Sequence, residues 1–355
     1  GRGIYATGGG AITVTNCNFL NIACPSEDNS GGGALYFDTC AAASVDNCLF
    51  VTNGTAFKAN GGWARFRGAA AFINATPTVF RNCRFAACGA ALRENTVGGV
   101  VEFAGASGGS KLVNCTFVGN SDFQSMQMPA ETVCAGAIAV TMSATSQTLD
   151  VENCTVAYNI TQGKWNAAGI TVSTGTVNLK NSIVYGNVRG WKAYADAAGA
   201  DIAVRSKGVL NMSYSLVSGP ETNYISVVEG GVTNIGPGVI YGDALLTSKL
   251  EDFTSLFTDG NTYWYLNGNA VRTACAELDV HPRTRTGYMK DGVLIRDPQR
   301  VHSPAIDAGD PASDYSNEPI IPRVGDNGGR VNLGAYGNTP EAALTKRLGM
   351  VLYLR

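Results

Sequence analysis

The chain has 355 residues, of which 15% are charged, and it carries a formal net charge of −2 with 44 Gly and 10 Cys. This balance provides no basic patch for nucleic acid or for an anionic membrane surface, and no run of 18 apolar residues predicts a membrane span. The length suits two average domains, but a repeat protein has no such limit because each repeat contacts only its neighbours.

A short repeat begins close to the N-terminus. Asn, a small residue and then apolar residues recur in TNCNFLN, DNCLFVTN, RNCRFAAC, NCTFVGN, ENCTVAYN and KNSIVYGN. The small residues are Cys17, Cys48, Cys83, Cys115, Cys154 and Ser182, with Ser215 as a seventh, and the steps between them are 28 to 39 residues. Periods of about 20–50 residues are typical of solenoids, propellers or arrays.

Each repeat also contains a first strand in which apolar residues alternate after Gly or Ala. Examples are GGALYFD (32–38), AAAFIN (69–74), GVVEFA (99–104), AGAIAVT (135–141), AGITVS (168–173) and ADIAVR (200–205). A second short strand precedes the Asn and a third follows it. Three strands in about 30 residues fit a parallel β-helix, whereas a propeller blade needs about 40–45 residues and four strands. The sequence therefore predicts an all-β, single-stranded parallel β-helix, a solenoid of about seven coils over residues 1–219.

The recurring Asn explains how each coil bends. Apolar residues lie two before it and one and three after it, so both sets share a core only if the chain turns at the Asn. Asn tolerates the left-handed conformation that such a turn requires, and stacked Asn side chains can bond from coil to coil. We therefore expect a buried structural ladder of Asn16, Asn47, Asn82, Asn114, Asn153 and Asn181, which ends where Tyr214 replaces Asn.

Five of the ten cysteines occupy this repeat, one per coil at the same inward position. We expect Cys17, Cys48, Cys83, Cys115 and Cys154 to be reduced thiols that act as small core hydrophobes. The pairing of the other five, Cys24, Cys40, Cys88, Cys134 and Cys275, is left open.

The C-terminal third lacks the repeat. We expect residues 220–300 to form an irregular β-rich extension packed on the rod, residues 301–340 a C-terminal cap, and residues 341–355 a tail or the start of a following segment. Four carboxylates flank Gly-rich turns there, namely Asp307, Asp310, Asp314 and Asp326. Such oxygens can hold calcium, but Asp is also ordinary in turns. No firm metal site or other cofactor is predicted.

Some of these segments resemble a known family. GGAL (32–35), AGAI (135–138), FVTN (50–53) and FVGN (117–120) resemble the GGA-apolar and F-x-x-N repeats of polymorphic outer-membrane adhesins. HSPAIDAGDP (302–311) and DNGGRVNLGAYG (326–337) are similar to the C-terminal end of secreted, anchored bacterial β-helix proteins. The resemblance implies a right-handed parallel β-helix, shared also with polysaccharide lyases, and a secreted or cell-surface location.

A candidate binding face follows from aligning the first strands. Tyr5, Tyr36, Phe72 and Glu102 fall in one outward row, and Trp63, Arg65, Arg67 and Arg93 lie in neighbouring long connections. Aromatic rings with basic edges suit a glycan. Glu102 and Asp38 should be about 12 Å apart, which exceeds the roughly 5–9.5 Å separation of glycosidase carboxylate pairs.

Three hypotheses remain at this stage. The first is a non-catalytic, adhesin-like surface protein that binds a glycan or polysaccharide. The alternative is a polysaccharide lyase or glycoside hydrolase acting in the same groove, with a basic residue drawn from Lys58, Arg65, Arg67, Arg93, Lys164, Arg189 and Lys192. The third is a purely structural stalk. His281 and His302 carry no catalytic motif, and a structural role is favoured for His302.

Overall fold

The computed structural model describes residues 3–24, 32–55, 68–92, 98–124, 135–161, 167–189, 201–220, 224–248 and 277–345. Within these ranges every regular element is a β-strand. Strands follow one another coil by coil, and each coil has a first, a second and a third strand. Six coils add a short fourth strand that was not predicted.

The strands of the first four coils are β1 Ile4–Thr7, β2 Ala11–Thr15, β3 Asn18–Leu20, β4 Ala23–Cys24, β5 Leu35–Asp38, β6 Ala42–Asp46, β7 Leu49–Val51, β8 Gly54–Thr55, β9 Ala71–Asn74, β10 Thr78–Arg81, β11 Arg84–Ala86, β12 Gly89–Leu92, β13 Val101–Gly105, β14 Ser110–Val113, β15 Thr116–Val118 and β16 Ser121–Gln124. The strands of the next four coils are β17 Ile138–Met142, β18 Thr148–Glu152, β19 Thr155–Ala157, β20 Ile160–Thr161, β21 Ile170–Lys180, β22 Ile183–Tyr185, β23 Val188–Arg189, β24 Ile202–Ser213, β25 Leu216–Val217, β26 Ile225–Val228, β27 Val232–Ile235 and β28 Ile240–Tyr241. A hairpin of β29 Tyr288–Lys290 and β30 Val293–Ile295 follows.

Equivalent strands of successive coils pair in parallel and build continuous sheets along the rod. The first strands run in the order β1-β5-β9-β13-β17-β21-β24-β26, and the third strands run from β3 to β28. In β21 and β24 the first and second strands of a coil merge into one long strand. This arrangement is the predicted parallel β-helix.

The described part of the rod continues beyond residue 219, which is the predicted end of the β-helix. β26 and β27 pair with β24, and β28 pairs with β25, all in parallel. These strands form an eighth coil within the segment that was expected to be irregular. The heptad motif fails to reveal this coil because Asn and Cys are both absent from its corner.

Columns of inward residues fill the core. Phe19, Phe50, Phe85 and Phe117 stack with ring centroids 4.6–4.8 Å apart and interplanar angles of 4–7°. The parallel register places these side chains directly above one another. Each such aromatic pair adds about 0.5–1.5 kcal/mol beyond the burial of its area, so the column favours this register over a shifted one.

The corners of the coils adopt the backbone conformation that the sequence requires. All six corner Asn residues have φ between 48° and 54°, and Tyr214 has φ 43°. Asn pays less for this left-handed conformation than other residues with a side chain. The bend at this position lets apolar residues on both sides of it face the core.

The expected burial of the corner Asn side chains is wrong for the first coils. Asn16, Asn47 and Asn82 are exposed. Asn153 and Asn181 are buried as expected, at 7% and 0% exposure, but against the C-terminal segment rather than in a stack. Asn181 Nδ2 donates to Ser313 Oγ at 2.9 Å, and the half-buried Asn114 donates through Nδ2 to Gly337 O at 2.7 Å. The corner lies on the outside of the rod, so its side chains cannot stack inside.

A different Asn column forms the internal ladder. Asn120 Nδ2 donates to Asn159 Oδ1 at 2.9 Å, Asn159 Nδ2 to Asn187 Oδ1 at 2.8 Å, and Asn187 Nδ2 to Asp201 Oδ1 at 2.8 Å. All four side chains are at most 3% exposed. Asn53, also buried, accepts from Ile22 N and donates to Phe19 O. The four Asn residues of this ladder end the F-x-x-N repeats and their variants, whereas Asp201 directly precedes β24. The segments that carry the family resemblance thus contain the ladder that the sequence predicted at the corner Asn.

The cysteine column lies at the corner, one residue after each corner Asn. Cys48, Cys83, Cys115 and Cys154 are buried, Cys17 is half-buried at the first coil, and all five are free thiols. Cys40 and Cys88 are also free and buried. Burial raises the pKa of Cys48 to about 11, so this thiol stays protonated. The expectation of reduced, core-packed cysteines is confirmed.

The C-terminal segment packs along the flank of the rod. Arg84 Nη2 donates to Leu278 O at 2.8 Å, Ala335 N donates to Thr155 Oγ1 at 2.9 Å, and Gly334 N donates to Asn181 O at 2.8 Å. An apolar cluster joins the outer side of the third strands to this segment, with Ala86, Val118, Ala157, Ile183, Leu216, Leu278, Val280, Ala305 and Leu333 among its members. In the described part of the chain, residues 301–340 therefore brace the side of coils four to seven, and not the rod end where a cap was expected.

Candidate functional site

The outward row of the first strands has the register that the sequence predicted. Tyr5 lies opposite Tyr36, Tyr36 opposite Phe72, and Phe72 opposite Glu102. The row continues through Ala139, Thr171 and Ala203. Because the strands are parallel and in register, one side chain stands above the next at each coil, about 4.8 Å apart.

The aromatic part of this row is a continuous stack. The ring centroids of Tyr5 and Tyr36 are 4.7 Å apart at an interplanar angle of 15°, and those of Tyr36 and Phe72 are 5.4 Å apart at 36°. Tyr36 therefore has a neighbouring ring on either side. We call Tyr5, Tyr36 and Phe72 the tyrosine stack.

Exposure falls steeply along the row. Tyr5 is 55% exposed and Tyr36 is half-buried, whereas Phe72 is 6% and Glu102 0% exposed. Glu102 accepts a hydrogen bond from Thr141 Oγ1 at 3.0 Å. A ligand thus has direct access to the first two coils of this face and not to Glu102.

A polar pair flanks the exposed end of the tyrosine stack. Asp38 and Asn74 lie two residues after Tyr36 and Phe72 and point to the same outward side, since alternate residues of a strand share a face. Asn74 Nδ2 donates to Asp38 Oδ1 at 2.8 Å. This bond orients the carboxylate beside the tyrosines and leaves its second oxygen, Oδ2, without a partner among the described residues.

The structure does not describe the side chains of the other predicted site residues. Trp63, Arg65, Arg67 and Arg93 lie outside the described residues, as do Lys58, Lys164 and Lys192. Arg189 ends the short strand β23, and its side chain is also outside the description. The predicted basic edge of the groove thus stays a prediction.

The four acidic residues of the C-terminal segment have separate roles. Asp310 pairs with Lys180 Nζ at 2.8 Å, and this hydrogen bond helps to lower the pKa of the carboxyl. Asp314 and Asp326 accept bonds from Ser316 N and Gly328 N in their own turns, and Asp307 accepts one from Thr345 Oγ1. Within the described ranges, no group of three or more His, Cys, Asp and Glu is arranged to hold a metal ion.

His281 lies in a buried polar cluster of the same segment. Its ring is stacked between Tyr288 and Tyr336, with centroids 4.1 and 3.4 Å away. His281 Nδ1 is 2.6 Å from Asp279 Oδ1, and Lys290 Nζ is 2.8 Å from Asp279 Oδ2. Burial alone would raise the pKa of Asp279, but its hydrogen bond with His281, their Coulomb attraction and the bond from Lys290 lower it.

This cluster holds segments together rather than presenting reactive atoms. His281 is 2% exposed, and its main-chain oxygen accepts from Thr247 N. No sequence pattern pointed to this cluster, because its members come together only when distant segments pack.

Comparison with known proteins identifies the family. The model of the right-handed β-helix region matches residues 2–231, which includes the first seven coils. No curated protein and no solved structure matches the chain. Among the described residues, no helix is long and apolar enough to cross a membrane. The fold is consistent with surface or glycan-related proteins. The chain belongs to the right-handed parallel β-helix family.

Proposed function

We propose that the protein is a secreted or cell-surface, non-catalytic β-helix that binds a glycan at the exposed end of its tyrosine stack. The observation that supports this proposal is the pair Tyr5 and Tyr36 on the outward face of the first strands. Their ring centroids are 4.7 Å apart, and Tyr5 is 55% exposed. Exposed aromatic surface on a folded protein usually marks a contact site.

The stacking decides what each ring can offer a sugar. Tyr36 has rings on both sides, so its hydroxyl and ring edge, rather than its face, are available to a ligand. A tyrosine hydroxyl both donates and accepts hydrogen bonds. Asp38 Oδ2 adds an acceptor for sugar hydroxyls on the same side. Apolar edges beside a few oriented polar groups are the usual composition of a small-molecule site.

The geometry favours an extended chain over a single sugar. The side chains recur at the coil spacing of about 4.8 Å, so a polymer lying along the rod axis can contact Tyr5 and Tyr36 with successive units. Specificity would then come from the polar pair, because Asp38 and Asn74 flank the same two coils. A neutral polysaccharide is better suited to this carboxylate than an acidic one.

Glycan-array binding followed by titration calorimetry tests the proposal. We expect Tyr5→Ala and Tyr36→Ala each to weaken binding about tenfold or more, equivalent to about 1.4 kcal/mol. Tyr36→Phe keeps the stack and removes only the hydroxyl. The affinity lost in this variant therefore measures the contribution of the hydroxyl's hydrogen bond. Val232→Ala, a change at a similarly exposed apolar residue far from the stack, is the control. A parent protein that binds no glycan would favour the structural stalk.

A polysaccharide lyase or hydrolase is the second candidate. The observation in its favour is the Asp38 carboxyl, which lies beside the accessible tyrosines and has one oxygen, Oδ2, without a partner among the described residues. Incubation with a polysaccharide panel, followed by ultraviolet absorbance for unsaturated products and by a reducing-end assay, separates the two. Product release that is lost in Asp38→Asn would replace the binding proposal with catalysis.

A further inference from the structure

The end of the eighth coil exposes residues that belong to core positions. Val227 is 46% and Ile235 40% exposed. Their register partners on the seventh coil, Val204 and Met212, are 0% and 2% exposed. We call the inward residues of this coil the end face, namely Ile225, Val227, Ile235, Val239 and Tyr241.

The end face also presents open strand edges. In the described part of the chain, β26, β27 and β28 each pair with one neighbouring strand on the rod side. Their other edges carry backbone donors and acceptors that can pair with a further strand. Natural sheets commonly protect such edges with charged side chains or with Pro.

Charged side chains that could protect these open strand edges are nearly absent from the eighth coil. Residues 224–242 contain one charged residue, Glu229. Its carboxylate accepts bonds from Arg205 Nη2 at 3.2 and 3.3 Å, so the charge is paired within the chain. The end face can therefore meet an identical surface without repulsion between like charges.

We propose that the end face is a dimer interface between two copies of this chain, related by a two-fold axis. In such an isologous contact each apolar residue of one end meets the apolar surface of the other. The contact closes after two copies, whereas stacking of the end face on the first coil of another copy would continue into a filament. The nearly uncharged, apolar character of the end makes it complementary to itself.

The size of the surface sets the expected strength. Standard interfaces use about 20–30 residues on each side, and the eighth coil, residues 225–241, is smaller than that. The dimer is therefore weak, with a dissociation constant in the micromolar range. The dimer places the two tyrosine stacks at opposite ends of one longer rod. Only the interpretation of these ends as two glycan-binding sites rests on the proposed function.

Sedimentation velocity across a micromolar concentration series tests the dimer. Ile235→Lys puts a charge on the end face, whereas Val232→Lys puts the same charge on the outward side of the same strand at 47% exposure. We expect the parent protein and V232K to show a monomer–dimer equilibrium, and I235K to raise the dissociation constant at least tenfold. Val227→Lys, on β26, should repeat the effect of I235K from another strand.

Circular dichroism and thermal melting of I235K and V227K verify that the rod is folded. The proposal is overturned if the folded parent protein stays monomeric up to high micromolar concentration, or if V232K and I235K weaken the dimer equally. Species that grow beyond two copies, and that disappear with Ile12→Lys on the inward side of the first coil, would instead indicate head-to-tail stacking. None of these results depends on whether a glycan binds.

Discussion

Two columns of asparagine run along this rod, and they differ in almost every physical respect. The corner column has a left-handed backbone throughout, and in its first three coils, with Asn82 as an example, the side chain is exposed. The inner column, with Asn120 as an example, has a side chain that is 0% exposed. Asn120 Oδ1 accepts from Cys88 N, and its Nδ2 donates to Phe85 O and Asn159 Oδ1.

The difference shows that one residue type can recur for two unrelated reasons. At the corner the backbone conformation selects Asn, because few side chains tolerate positive φ. In the inner column the side chain selects it, because its amide satisfies two buried main-chain groups of the preceding coil and also bonds to the Asn side chain of the next coil. Recurrence alone does not reveal which of these reasons applies.

The largest expected effect comes from breaking the inner column. Asn120→Ala removes the partners of Cys88 N and Phe85 O and part of the bonding of Asn159, all of them buried. Each buried group left without a partner costs about 1–3 kcal/mol, so we expect a loss of roughly 3–5 kcal/mol in the free energy of unfolding. Chemical denaturation measures it. A loss below about 1 kcal/mol would contradict the assignment of this column as the ladder.

The pH dependence of stability probes the end of the inner column. Asp201 accepts from Asn187 Nδ2 and from Ser218 N, and burial raises its pKa from 3.8 to about 6. The native state then holds the proton more tightly than the unfolded state, so stability falls as pH rises from about 4 to about 6. A shift of about two pH units corresponds to roughly 3 kcal/mol as an upper bound.

Asp201→Asn should remove this fall in the free energy of unfolding between about pH 4 and 6. Denaturation curves measured between pH 4 and 8 test it. Glu318 supplies a second contribution of the same sign, because burial raises its pKa from 4.5 to about 7. The variant should therefore retain a slope between about pH 4.5 and 7. An unchanged slope below pH 6 in the variant would show that Asp201 is not the group responsible.

A smaller effect is expected where the corner column meets the C-terminal segment. Asn181 Oδ1 accepts from Asp310 N at 2.7 Å, and Nδ2 donates to Ser313 Oγ. We expect Asn181→Ala to cost about 1–2 kcal/mol through these contacts and the left-handed backbone. Proteolysis of residues 309–337 should become faster in this variant. Equal protease resistance in parent and variant would argue against a bracing role.

The smallest effect is expected at the exposed corner. Asn82→Gly should change stability by no more than about 0.5 kcal/mol, because Gly adopts positive φ without steric cost. Asn82→Val should cost about 1–2 kcal/mol, since a β-branched side chain is strained there. Thermal melting of both variants measures the contrast. A large loss in the Gly variant would mean that the side chain, and not the backbone, is what matters at this corner.

The sequence by itself determined the coils, their register and the left-handed corners. Alternation along a strand, steric limits on φ and the repeat spacing are local properties that can be read from neighbouring residues. For that reason the row from Tyr5 to Glu102 and the core position of Cys115 were predictable. The eighth coil was missed because its corner, at Gly238, carries neither Asn nor Cys.

Only the tertiary structure decided which of these residues are buried. Both asparagine columns look alike in sequence, and the inner one is distinguished by the coils packed on either side of it. Glu102 follows the same outward pattern as Tyr5, yet it is buried while Tyr5 is 55% exposed. Residues 277–345 brace the flank of the rod through contacts with residues more than a hundred positions away. Burial depends on what the rest of the chain brings to a surface, and local sequence holds no record of that.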